Sequence, residues 1–397
     1  VYPTAPPYGP APPYPVVFQY PAHYPQQYGT PWAPSYPWPF PPAYPQPRQR
    51  PGGLIGALMA VVVVLVLIGL VLVAVGNAPS STAASFPTTP GFFSPAVTSC
   101  TTAAPTGTTT VPMQVLQENS AVVAFVPVCL NGHGPYPFVL DTGSAETLVV
   151  TSLAQAAGLT SNGPPVTANG AGCSSNVSQL QVGQWSIGSV PLTAQGVVST
   201  NLFGGSSSGG IGGLIGSDVL SRFGAVKLNF AQKILTLPGP EGPPLAGPLL
   251  TKGPTSVPTP PDLVSGTPTH IVPMRVLNQD HTVAALVPVS FAGGPTKYFV
   301  LDTGSSRTTV DSGLVASAGL QPTGQKEQIG AVGCTETTSL VKTGSWAIGD
   351  VPLPSDTAYS TPLNDIQVQG LFGADELSSF GTVVIDYAGA RLLLGIP

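Results

Sequence analysis

The sequence predicts a mainly β protein made of two tandem copies of one domain, preceded by a disordered tail and one transmembrane helix. Three observations carry this reading. The segment that begins at Val111 recurs from Val272 at a constant offset of 161 residues. Each copy breaks into short β-branched runs separated by Gly- and Pro-rich turns. Ahead of both copies, the run from Leu54 to Val75 carries no charged residue.

Residues 1–50 form the tail, and its first 47 residues contain no Asp, Glu, Lys or Arg. Pro, Tyr, Ala and Gln dominate it, as in APPYGPAPPYP. Too few aliphatic residues are present to offset chain entropy, so disorder or polyproline II is expected. Its Pro-Pro-x-Tyr-like repeats are read either as docking sites for a partner or as a solvated tail. Residues 51–77 hold the apolar run, which lacks the polar face of a core helix. About 20 residues at helical rise span a bilayer core, so a single span into the lipid bilayer is expected. Arg48 and Arg50 precede it, and the next Lys or Arg is Arg222. Positive charge stays on the cytoplasmic side. The expected protein is single-pass in the cell membrane, with a cytoplasmic N-terminus and extracytoplasmic C-terminal domains.

Residues 78–110, rich in Ser, Thr and Pro, read as a stalk, and residues 238–270 as a Pro-rich linker. The domains are then 111–237 and 271–397. Only 7% of residues are charged, with 12 Lys and Arg and a net charge of −5. No basic stripe is available to displace counterions from phosphates, which excludes a nucleic-acid partner. The four histidines and four cysteines show no metal-ligand spacing, so neither metal nor cofactor is expected.

The repeat is close. VPMQVL at 111–116 answers VPMRVL at 272–277, and 20 of the first 40 paired positions are identical. PFVLDTGSAETLVV at 137–150 answers YFVLDTGSSRTTVD at 298–311. After a four-residue gap, GLIGSDVLSRFGAVKLNF at 213–230 answers GLFGADELSSFGTVVIDY at 370–387. Within each copy, VVAFVPV and FVLD, or AALVPV and YFVLD, read as strands. SLAQAAGL and SGLVASAGL read as short helices that end at Gly. DVLSRF and DELSSF read as one or two helical turns. Trp185 and Trp346, paired by the repeat, are read as core.

Asp-Thr-Gly-Ser stands after an apolar strand in each copy, at 141–144 and at 302–305. One such turn is a common structural feature. Two in equivalent places point to a chemistry that needs two carboxyls. A pair about 3 Å apart cannot both ionise and so shares one proton. The ionised member then activates a water, and the neutral member donates to an oxyanion. Asp141 and Asp302 are the candidate catalytic pair, and the pair titrates as a unit. Gly143 and Gly304 provide the sharp turn. Thr142, Ser144, Thr303 and Ser305 are expected to hydrogen-bond the loops. Asp218 and Asp375 also repeat, but no such turn holds them, and they are read as structural. GSSSG at 205–209 is not on a strand-to-helix turn and does not suggest a serine hydrolase. Asn176-Val-Ser178 is a glycosylation sequon of a kind frequent by chance.

On these residues, each copy resembles a complete subunit of the retropepsin-like aspartic protease family. The matching elements are the apolar strand with DTGS, a Gly-rich hairpin in the flap position, and LIGSDVL or LFGADEL. The resemblance covers both copies and excludes the tail, the span and the spacers. It implies two tandem acid-protease β-domains forming a pseudo-dimer, an aspartic endopeptidase, and a protein or peptide substrate. It also implies that Leu214, Ile215, Gly216, Leu371, Phe372 and Gly373 pack beneath the catalytic loops. The flaps fall on 167–175 and 329–337, with Gly170, Ala171 and Gly172, and Gly330, Ala331, Val332 and Gly333, near substrate. Both flaps carry a cysteine. One set of disulfides pairs Cys173 with Cys334 across the flaps and Cys100 with Cys129. Four cysteines allow three connectivities, and the alternative is that the flap cysteines pair elsewhere or stay free.

Two other arrangements compete. In one, each copy pairs with its counterpart from a second chain, although a linker of about 30 residues reaches on the order of 30 Å and permits pairing within one. In the other, the scaffold is an inactive surface binding or adaptor protein, against which both intact Asp-Thr-Gly triplets argue.

Overall fold

The computed structural model describes residues 100–395 apart from 104, 119, 170–173, 203–209, 246–248, 251–258, 261–262, 265–267, 269, 280–281 and 364–367. The tail, the apolar run Leu54–Val75 and the GSSSG loop lie outside the described residues. Among the described residues, no helix is long and apolar enough to cross a membrane.

Each copy folds as a large β-sheet, and a third sheet joins the two. In the first copy the long strands Ala121–Leu130 and His133–Leu140 form a hairpin whose inner residues are almost all buried. Strand Gly213–Ile215 runs parallel to Phe138–Leu140 and antiparallel to Leu148–Val150. The loop carrying Asp141 is therefore pinned where two neighbouring strands diverge. The second copy repeats the pattern, with Gly370–Phe372 parallel to Lys297–Leu301 and antiparallel to Thr309–Asp311. Trp185 and Trp346 are buried, and Trp346 stacks on Phe291 at 5.8 Å.

The joining sheet runs in the order Thr109–Pro112, Ile234–Leu237, Ala225–Asn229, Thr382–Asp386, Arg391–Leu394, His270–Pro273. Its centre pairs the two copies directly, from Ala225 opposite Asp386 to Asn229 opposite Thr382. Thr382–Asp386 is buried throughout, whereas Ala225–Asn229 buries Ala225, Val226 and Leu228 and leaves Lys227 and Asn229 half-buried. Two further hydrogen bonds cross between the copies in equivalent places. Val122 N–H donates to the Ser306 carbonyl at 2.9 Å, and Val283 N–H to that of Ala145 at 3.2 Å.

Three local differences from the sequence expectation have physical causes. Residues 100–110 are tethered rather than a free stalk, because Cys100 is disulfide-bonded to Cys129 and Thr109 starts a strand. The linker 238–270 is docked in part. Leu263 is buried, and the Thr259 hydroxyl donates to the Asp386 carboxylate at 2.5 Å. SGLVASAGL begins as a 3-10 turn, Ser312–Leu314, not an α-helix. The Asp311 side chain accepts from Gly313 N–H and tightens that first turn. The other copy does form an α-helix there, Thr151–Ala156.

Candidate active site

The two Asp-Thr-Gly-Ser turns meet at the interface between the copies. Thr142 and Thr303 interlock them. Thr142 N–H donates to Thr303 Oγ1 at 3.1 Å, and Thr303 N–H to Thr142 Oγ1 at 3.0 Å. Each hydroxyl then donates to a carbonyl of the opposite strand, Thr142 to Leu301 at 2.7 Å and Thr303 to Leu140 at 2.6 Å. Both threonines are buried, so all four bonds are shielded from water.

This lock fixes the carboxyls. Asp141 Oδ1 accepts from Gly143 N–H at 3.0 Å and Ser144 N–H at 2.9 Å. Asp302 Oδ1 accepts from Gly304 and Ser305 N–H, both at 2.9 Å. The two carboxyls lie close enough to shift each other's protonation. Each also lies against the glycine of the opposite turn. A Cβ on Gly143 would collide with the Asp302 carboxyl, and one on Gly304 with that of Asp141. Glycine is required here for close approach as much as for the turn itself. The Ser144 and Ser305 hydroxyls do not reach the carboxyls. They donate within their own loops, to the carbonyls of Glu146 at 2.6 Å and Arg307 at 2.7 Å.

The electrostatics follow from this packing. Burial raises the Asp141 carboxyl above the usual range, and the N–H groups of Ser144 and Gly143 hold it down in part. Asp302 is pushed well above that range, first by burial and then by the negative charge of Asp141. The arrangement favours one proton held between two carboxyls.

Beneath the loops, Leu214, Ile215, Leu371 and Phe372 are buried. Asp218 accepts from the Thr147 hydroxyl at 2.8 Å and from Gln195 Nε2 at 2.9 Å. Thr147 Oγ1 in turn accepts from Gly216 N–H at 3.0 Å. Asp375 makes the matching contacts with Thr308, whose hydroxyl accepts from Gly373 N–H at 3.0 Å. Both carboxyls brace the strand after each Asp-Thr-Gly loop, and burial pushes each up to about 6. Among the described residues, Asp356, Asp375 and Glu376 also group their carboxyl oxygens within 4.8 Å. Burial, with the charges of Asp375 and Asp356, pushes Glu376 up to about 8.

Of the flap residues, Gly170, Ala171 and Gly172 lie outside the described residues, as does Cys173, and with it the expected pairing of Cys173 with Cys334. The second flap is the hairpin Gln321–Ala331 with Cys334–Lys342. Gly330 and Ala331 end its first strand, and Val332 and Gly333 make its tip, where Gly333 has a φ of 79°. Val332 bridges Leu202 of the first copy, and its carbonyl accepts from the Ser175 hydroxyl at 3.5 Å. The flap region of one copy therefore touches the other.

Sequence reasoning did not single out two groups. Arg307 is buried, donates through Nη2 to Ser120 Oγ at 2.5 Å and lies over the Tyr359 ring at 5.0 Å. Its Nη1 stands 3.9 Å from Glu327 of the second flap, which also accepts from the Tyr359 hydroxyl at 3.0 Å. The other group is Ser217 with Tyr387. Ser217 Oγ donates to the Thr142 carbonyl at 2.8 Å and lies 3.0 Å from the Tyr387 hydroxyl. Both groups fall where the two copies differ in side-chain chemistry while their neighbours match. That difference was the available signal.

Two β-domains that each lend one carboxyl to a shared interface define a pseudo-twofold, two-aspartate protein. A family model described as aspartyl protease matches the chain twice, at residues 126–219 and 287–375, which is consistent with a tandem, retropepsin-like pair. The first match contains Asp141 and the second Asp302. A search of curated proteins returns no match.

Proposed function

We propose that the protein is an aspartic endopeptidase whose single active site is formed by Asp141 and Asp302 of the same chain. One observation supports this most: two aspartates distant in sequence each press against the glycine of the other's turn, and each is clamped by two backbone N–H groups. With one proton between them, the ionised carboxyl removes a proton from a bound water, whose oxygen bonds to the scissile carbonyl carbon. The neutral carboxyl donates to the developing oxyanion. When the tetrahedral intermediate collapses, the C–N bond breaks and the leaving amine takes the proton. No covalent enzyme intermediate forms. The substrate is a protein or peptide, enclosed by the two flaps.

On this reading the enzyme works outside the cell membrane, held by the apolar run Leu54–Val75. The arginines that precede the run support that topology. The Cys100–Cys129 disulfide supports an oxidising compartment.

The test is cleavage of a generic unfolded protein at acidic and neutral pH, with and without pepstatin. Cleavage that pepstatin blocks is the expected result. A folded protein that cleaves nothing at any pH would return the scaffold to the binding or adaptor class.

A further inference from the structure

The two catalytic loops have the same backbone hydrogen bonds but differ in what supports them from below. Ser217 begins the short helix Ser217–Leu220, and its N–H donates to the Ser144 carbonyl at 2.8 Å. Ala374 stands in its place in the second copy, and its N–H donates to the Ser305 carbonyl at 2.9 Å. Tyr387, from the second copy, reaches under the first loop. Its counterpart in the repeat is Phe230. A buried pair of hydroxyls therefore lies beneath the Asp141 loop, and the corresponding residues of the repeat carry none.

The direction of these bonds can be assigned. The Thr142 carbonyl can only accept, so Ser217 spends its proton there. The contact between Ser217 Oγ and the Tyr387 hydroxyl must then be donated by tyrosine. The Thr142 carbonyl belongs to the same peptide unit as Gly143 N–H, which donates to Asp141 Oδ1 at 3.0 Å. The result is one aligned chain: Tyr387 O–H, Ser217 O–H, the Thr142–Gly143 peptide, and the Asp141 carboxyl. Bonds aligned in this way polarise one another, so the Gly143 N–H becomes a better donor. A better donor favours the charged form of the carboxyl that accepts from it.

We infer that Ser217 and Tyr387 are positioning residues that make Asp141 the ionised member of the pair and leave the shared proton on Asp302. This rests on the proposed two-aspartate function and adds to it a division of roles that twofold symmetry would otherwise forbid. The charged or titratable groups around Asp141 are Asp302 opposite it, Tyr387 beneath it, and Asp218 on the short helix, which acts on Tyr387. Burial raises Tyr387, so its proton stays in place across the working range.

The test compares Tyr387→Phe and Ser217→Ala with the unaltered full chain. Carboxyl-13C aspartate NMR titration and the pH profile of kcat/KM are both recorded. The repeat already carries these residue types at the equivalent positions, Phe230 in the first copy and Ala374 in the second, so the variants should pack. The lower titration step of the pair should rise by roughly half a pH unit, with the acid limb of the rate profile moving alongside it. KM should stay near its original value. The reciprocal double variant, Phe230→Tyr with Ala374→Ser, builds a chain under Asp302 and should lower the upper step. It also reads out the idea if a single variant fails to fold. A lower step unmoved in a folded variant, or an upper step unmoved in the reciprocal one, overturns the inference. Because NMR needs no turnover, a shifted titration in an inactive protein would sink the protease reading alone. Normal cleavage with an unmoved titration would sink the chain of hydroxyls alone.

Discussion

The two copies agree where the carboxyls are held and disagree where the flaps are. Around Asp141 and Asp302 the same donors reach the same oxygens within 0.1 Å, and the threonine lock is reciprocal. Away from them, Arg307, Glu327 and Tyr359 tie the second flap to its catalytic loop. Glu146, Val166 and Val198 occupy the matching register in the first copy. That set holds no cation to pair with Glu146. The comparison teaches that sharing one proton demands near symmetry only in the first few ångströms. Beyond that distance the copies were free to diverge, and on the proposed function two different flaps would treat the two ends of a substrate differently.

The largest effect should come from breaking the symmetric part. Gly143→Ala or Gly304→Ala drives a methyl into the opposing carboxyl, and kcat should fall at least about a hundredfold in either variant. Equal loss in both would confirm that the centre is shared. Loss in only one would show that the copies are not equivalent even there. Thr142→Ala and Thr303→Ala each remove a hydroxyl that gives one bond and takes another. Each should destabilise the chain by about 1–3 kcal/mol, because the partner N–H is left buried and unsatisfied. Denaturant unfolding would measure it.

The pH dependence of stability tests a set of groups rather than one. Asp218 and Asp375 near 6 and Glu376 near 8 bind protons more tightly in the folded chain than in the unfolded one. The stability they add is complete below the unfolded carboxylate range, about 4. It drains away as pH rises through 6 and then through 8. Thermal unfolding should therefore occur at a higher temperature at pH 5 than at pH 8, and Glu376→Gln should flatten the upper part of that slope.

The smallest effect should come from the divergent part. Arg307→Met removes a buried guanidinium that donates to Ser120 and lies over Tyr359, along with a long ion pair to Glu327, so stability should drop by about 1 kcal/mol. KM should rise severalfold with kcat little changed, as the second flap loosens. An unchanged KM would mean the two flaps differ in sequence but not in grip.

Much of this was legible in the sequence because it was written twice. The offset of 161 residues identified both Asp-Thr-Gly turns, and the apolar strand before each turn placed it at a sheet end. The role of Asp218 and Asp375 as braces could also be read, since they lack a turn of their own. Repetition was silent on whatever the copies do not share. Ser217 and Tyr387 meet across 170 residues and across the joint between copies, and no local pattern announces such a contact. Arg307 looked like an ordinary charged residue after a turn until its burial against Tyr359 appeared. The 3-10 start of SGLVASAGL was missed because an Asp side chain, not periodicity, decides that turn.

The central claim is that one chain supplies both halves of one proton-sharing pair. Asp141→Asn and Asp302→Asn variants, assayed for cleavage separately and then mixed in equal amounts, test it most directly. The account predicts that each variant is inactive, with a loss of about a thousandfold or more, and that the mixture stays inactive. Cleavage restored on mixing, or one variant that keeps substantial activity alone, would contradict it.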